Sequence, residues 1–157
     1  MARDNGNGGR GNMSDSVTIK VDGRTTLAKA LKKLGADAQK DFERLVTKTA
    51  LDIRRDVIKR YKSGPKTGAI TMRGKREHQA SAPGEAPAVD RGTLLSSLYF
   101  EQPTPKSATI GTRLAYGFYL EFGAKYIEKR PAWLPAAEAS RPKFTKALEE
   151  IIRRHAR

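Results

Sequence analysis

At 157 residues the chain has room for one domain with a single core and too little for two, and the absence of cysteine excludes a disulfide scaffold, a thiolate nucleophile and any cysteine-ligated metal. Lys and Arg number 31 against 17 Asp and Glu, a formal charge of +14, which favours contact with a polyanion, either nucleic acid or an acidic protein surface. No apolar run approaches the ~18 residues that span a bilayer, and MARDNGNGGRGNM lacks a signal-peptide stretch, so the expectation is synthesis in a cytoplasm and no membrane partner.

Residues 1–15 are polar and rich in Gly and Asn and read as a flexible arm, with Met13 a second plausible start beside Met1; residues 16–157 then form one domain. VTIKV (17–21) alternates β-branched and polar residues and runs into Asp22-Gly23, a short strand with a turn, placed at a sheet edge. Thr25 or Thr26 caps a helix through Leu27, Ala30, Leu31 and Leu34 that Gly35 interrupts, and Asp37 caps the next. That next helix runs to about Lys62. Ala38, Phe42, Leu45, Val46, Thr49, Ala50, Ile53, Val57 and Tyr61 keep to one side of it, and Lys40, Arg44, Lys48, Arg55, Lys59 and Lys62 make a basic stripe elsewhere on it.

Ser63-Gly64-Pro65 stops this helix, and no period holds from there to Asp90. A loop of this length inside a compact domain is either disordered or functional, and 63–90 is expected to be extended, with Lys66, Arg73, Lys75 and Arg76 making its first half basic. Asp90 or Thr93 starts a short helical turn. SLYFEQ and SATIGT read as a β-hairpin with Pro103 and Pro105 confined to its connection. LAYGFYLEFGAKY leans to a helix stopped at Gly123, and Trp133, Leu134 and Pro135 lead into a last helix whose apolar face carries Phe144, Ala147, Leu148, Ile151, Ile152 and His155. Pro142 is then a first-turn residue or a kink. The fold class is α+β: a small antiparallel sheet against a long N-terminal helix and a C-terminal helix.

The search for chemistry returns no catalytic set. His78 and His155 have no second ligand at metal spacing, Asp52 and Asp56 are better explained as partners of Arg54, Arg55, Lys59 and Arg60, and the glycines at 64, 68 and 74 fit no phosphate-binding pattern. Ser81 and Ser96 lack a histidine partner. No enzymatic activity, cofactor or metal is expected.

Four short runs occur in a telling order. They are Ala82 to Ala88; Asp90, Gly92, Leu94 and Ser97; Ala115, Tyr116, Tyr119, Glu121 and Gly123; and Arg130, Pro131, Leu134, Pro135 and Ala136. Placed after a basic helix and before a C-terminal one, over residues 27–155, they resemble the tailed-bacteriophage tail-component family of neck proteins. Arg91 stands where a threonine is frequent in that family and Trp133 where a phenylalanine is usual.

The resemblance implies a structural virion protein without cofactor that assembles into a homo-oligomeric ring, hexamer or dodecamer, at the head–tail junction. It would meet head-side connector proteins on one side and the tail tube protein on the other, with DNA passing through. The expected location is the virion neck or top of the tail, after assembly in the host cytoplasm. Interface positions on this reading are Pro83, Gly84, Glu85, Pro87, Arg91, Glu121, Phe122, Gly123, Arg130, Pro131 and Trp133, while Lys66, Arg73, Lys75 and Arg76 contact DNA or an acidic partner. The alternative, supported by charge alone, is a non-sequence-specific DNA-binding protein; a small nuclease lacks the residues it needs.

Overall fold

The computed structural model describes residues 17–22 and 25–156; the arm over 1–15 and the turn at Gly23 lie outside them, as do the side chains of Thr25 and Thr26. In chain order the elements are β1 (Thr18–Asp22), α1 (Thr25–Lys33), α2 (Ala36–Ser63), β2 (Ile70–Arg73), β3 (Arg76–Gln79), α3 (Thr93–Ser96), β4 (Leu98–Thr104), β5 (Ser107–Thr112), α4 (Tyr116–Phe122) and α5 (Trp133–His155).

The protein is α+β, organised around α2. That helix buries Ala38, Phe42, Val46, Ala50, Ile53, Val57 and Tyr61, a spacing of three and four residues that keeps one face apolar over 28 residues. Each large side chain taken fully out of water there contributes roughly 1.5–3 kcal/mol. α2 packs against α5, with the Phe42 and Phe144 rings edge to face at 6.4 Å, and against the sheet. Gly35, at φ 99, is the break between α1 and α2, a conformation that a side chain would resist. Asp37 lies inside the first turn of α2 instead of capping it; its charge still suits the positive end of the helix.

The sheet is antiparallel in the order β1-β5-β4, so β1 is an edge strand, as its shortness suggests. β5 is the central strand and is almost wholly buried, with Ala108, Ile110 and Thr112 among its inaccessible residues. Pro103 departs from the expected position: it lies within β4, where the pairing with β5 shifts between Glu101 and Thr104. A residue without an N–H fits where the ladder is already interrupted.

Two further corrections concern 63–90 and α5. The segment contains a second, two-stranded sheet, β2 paired with β3, in place of continuous extended chain. In α5 it is Pro135 that occupies the first turn; of the two readings of Pro142 the first-turn one falls, because the residue lies in the helix interior. Pro142 deprives the Glu138 carbonyl of its usual donor, but both residues are exposed and water can serve instead. No helix among the described residues is long and apolar enough to cross a membrane.

Candidate interaction surface

The segment from Ser81 to Gly92 packs only small side chains, Ala86 and Val89 among them, against the core, and hydrogen bonds add to its order. The Glu85 carboxylate accepts from the Thr67 amide at 2.9 Å, the Thr67 hydroxyl at 2.6 Å and the Ala82 amide at 2.8 Å, which ties the segment to its own beginning. These donors, the Thr67 hydroxyl first, hold the Glu85 carboxyl below its ordinary pKa. The Gly84 amide donates to the Lys129 carbonyl at 2.9 Å and Arg130 Nε donates to the Ser81 carbonyl at 3.2 Å. The run around Ala82–Ala88 and the run around Arg130–Ala136 are therefore stitched together within one chain.

Glu121 is the centre of the second pair of runs. α4 ends at Gly123, whose φ of 82 lets the chain turn sharply, and this leaves Glu121 facing the start of α5. Its carboxylate accepts from the amides of Ala132 (2.8 Å), Trp133 (3.1 Å) and Leu134 (2.7 Å). Pro135 has no N–H, and the Ala136 amide already donates to the Ala132 carbonyl at 3.3 Å. Every orphan donor at the start of α5 is thus accounted for, by a side chain from another helix. A carboxylate at that point also suits the helix dipole.

This geometry revises several interface positions. Glu121 and Trp133 are buried, at 5% and 1% exposure, and Pro87 is buried too; all three are engaged within the chain and not presented to a neighbour. Glu85, Arg130 and Gly84 close the loop onto its own body, and Pro131 and Gly123 are partly covered. Pro83, Arg91 and Phe122 are exposed, Phe122 near Tyr126, Ile127 and Leu134 in sequence and like them accessible.

The exposed element that sequence reasoning missed is the β2–β3 hairpin. It pairs Ile70 with Gln79, Thr71 with His78, Met72 with Glu77 and Arg73 with Arg76, across a two-residue Gly74-Lys75 turn in which Gly74 has φ 66. Cross-strand partners share a face, so Ile70, Met72, Glu77 and Gln79 lie on one side and Thr71, Arg73, Arg76 and His78 on the other. The second side is tethered: Arg73 Nε lies 3.3 Å and His78 Nδ1 4.0 Å from Asp90. The first side holds Ile70 and Met72 in water, 60% and 66% exposed.

Of the four basic loop residues, Arg73 is paired with Asp90 and Lys66 donates to the Lys62 carbonyl at 3.0 Å. Lys75 and Arg76 have no ion-pair partner among the described residues. On α2 the whole basic stripe is exposed. Lys40, Arg44 and Arg55 are paired with Asp37, Asp41 and Asp52 one turn back, whereas Lys48, Lys59 and Lys62 have no such partner among the described residues. Asp52 and Asp56 are thereby neutralised by Arg55 and Arg60, and among the described residues no group of three or more acidic, histidine or cysteine side chains could hold a metal ion.

Compared with known proteins, the chain matches no family model, no curated protein and no solved structure.

Proposed function

We propose that this protein is a structural subunit of a tailed-phage virion that assembles into a ring at the head–tail junction, through which DNA passes. The observation that carries the reading is the outward face of the β2–β3 hairpin. A two-stranded hairpin is marginal by itself in water, and this one holds Ile70 and Met72 on the side away from its tether. A neighbouring subunit that covered this face would explain why it is built. A head-to-tail contact of that kind, repeated until it closes, makes a ring. The order of the four sequence runs supports the phage assignment.

The test is assembly. Light scattering of the wild type, alone and with tail tubes, should give a ring, and the I70D/M72D variant should stay a folded monomer. In cells lacking the gene, electron micrographs should show full heads and finished tails that fail to join. Infectious particles from such cells would sink the proposal.

The exposed basic stripe on α2 favours one second reading, a non-sequence-specific DNA-binding protein. Binding of bare duplex DNA that weakens steeply with salt, in a chain that stays monomeric, would select it.

A further inference from the structure

Between the 80–92 segment and the helices α3 and α4 lies a cavity of about 580 Å³, within the size range of ligand sites. Its polar groups are unbalanced. Tyr61, 2% exposed, accepts a hydrogen bond from the Trp133 indole at 3.0 Å, but its own hydroxyl proton has no acceptor among the described residues. Tyr116 lines the same cavity, and its hydroxyl makes no hydrogen bond among the described residues. Arg130 commits only Nε, to the Ser81 carbonyl, and Arg91 has no ion-pair partner among the described residues.

The one carboxylate on the wall, Asp90, is already engaged by Arg73 at 3.3 Å, with His78 Nδ1 at 4.0 Å. Arg91, Arg130 and two phenols therefore line a wall whose one carboxylate is already taken by Arg73. Burial raises the pKa of the Tyr61 phenol far above its ordinary value, which keeps it a donor. Beside the Ser81 and Thr93 hydroxyls, the remaining wall has an aliphatic part made by Leu94, Leu95 and Leu120. Donors without acceptors beside aliphatic surface suit an anionic oxygen group carried on an apolar stem.

We propose that this cavity binds an acidic peptide segment of a partner protein, one Glu or Asp carboxylate taking the hydrogen bonds that Tyr61, Tyr116, Arg91 and Arg130 have to give. A nucleic-acid strand fits less well, because it carries a charge at every nucleotide and the aliphatic part of the wall offers those charges no partner. The site needs no ring and belongs to the single chain.

The probe is a fluorescently labelled, end-capped peptide, Ser-Leu-Leu-Glu-Leu-Ser, with its Gln twin and a 12-base-pair DNA duplex, each titrated against the full chain by polarisation. The Glu peptide should bind at least about tenfold more tightly than the Gln twin. R91Q/Y116F should weaken the Glu peptide by about tenfold or more without lowering the melting temperature, since neither side chain makes a hydrogen bond among the described residues. Absence of Glu-peptide binding, equal affinity for the twins, or an unchanged affinity in R91Q/Y116F would each overturn the proposal. So would a variant that loses DNA binding alone, which would mark the cavity as a phosphate site.

Discussion

The indole N–H of Trp133 donates to the Tyr61 hydroxyl at 3.0 Å, joining the first residue of α5 to the last buried position of α2. Both side chains are almost wholly inaccessible, so neither has water as a substitute. Tyr61→Phe keeps the ring and leaves the indole N–H buried without an acceptor, which costs about 1–3 kcal/mol. Urea unfolding should show the midpoint falling while the slope stays the same.

Glu121 faces a heavier demand, because three backbone amides depend on it. Loss of an ordinary exposed cap costs about 1 kcal/mol, whereas Glu121→Ala leaves the two buried amides of Ala132 and Trp133 unpaired and should cost about 2–4 kcal/mol. Calorimetry gives the check, and Glu121→Gln should recover part of the loss because an amide oxygen can still accept. A melting temperature unchanged in Glu121→Ala would contradict the capping role.

Glu85 works locally. Thr67 and Ala82 donate to it at the margin of the protein, and little of the core depends on the closure. Glu85→Ala should therefore speed hydrogen exchange at the Thr67 and Ala82 amides while global stability changes by less than about 1 kcal/mol. Exchange rates identical to wild type at both amides would show that something else holds the segment.

Asp41 links the two long helices near the C-terminal end of α5. His155 Nε2 lies 3.1 Å from its carboxylate and Arg154 Nη1 3.4 Å, with Arg44 Nη1 also at 3.4 Å. The His155 hydrogen bond, and after it the charges of Arg154, His155 and Arg44, hold the Asp41 pKa below its ordinary 3.8. A depressed carboxylate pKa contributes stability that is complete above the ordinary value and disappears as pH falls through the lowered one. Thermal melts from pH 6 to pH 2 should accordingly show the advantage of wild type over Asp41→Asn shrinking below pH ~4. A constant difference across the whole series would rule this linkage out.

The parts of the fold that bury one face were legible in the sequence. Each buried residue of α2, from Ala38 to Tyr61, lies at the spacing that the apolar pattern gives, and the β4–β5 hairpin and the stop at Gly123 announce themselves through alternation and glycine. β2 and β3 leave no such trace. With His78 the only one of their residues that is partly covered, neither strand has an inside to alternate with. The signal available was the turn itself, a Gly-Lys pair between two short runs, with Gly74 at positive φ.

The candidate site was legible in its residues and not in their roles. Glu121 reaches amides 11 to 13 positions ahead, and Glu85 reaches back 18 to Thr67. No local period encodes either contact. At Glu85, Glu121, Arg130 and Trp133 the runs expected to contact a neighbour make hydrogen bonds that close the chain on itself.

The position of β1 at the sheet edge bears on how the chain comes together during synthesis. Thr18 pairs with Gly111 and Asp22 with Ser107, so β1 has no strand to join until the chain has been made as far as β5. The β4–β5 hairpin, closed through a turn of two residues, needs no such wait. Contacts of long sequence separation form slowly, so β1 is seated after the hairpin it joins, and a strand made early completes the sheet late.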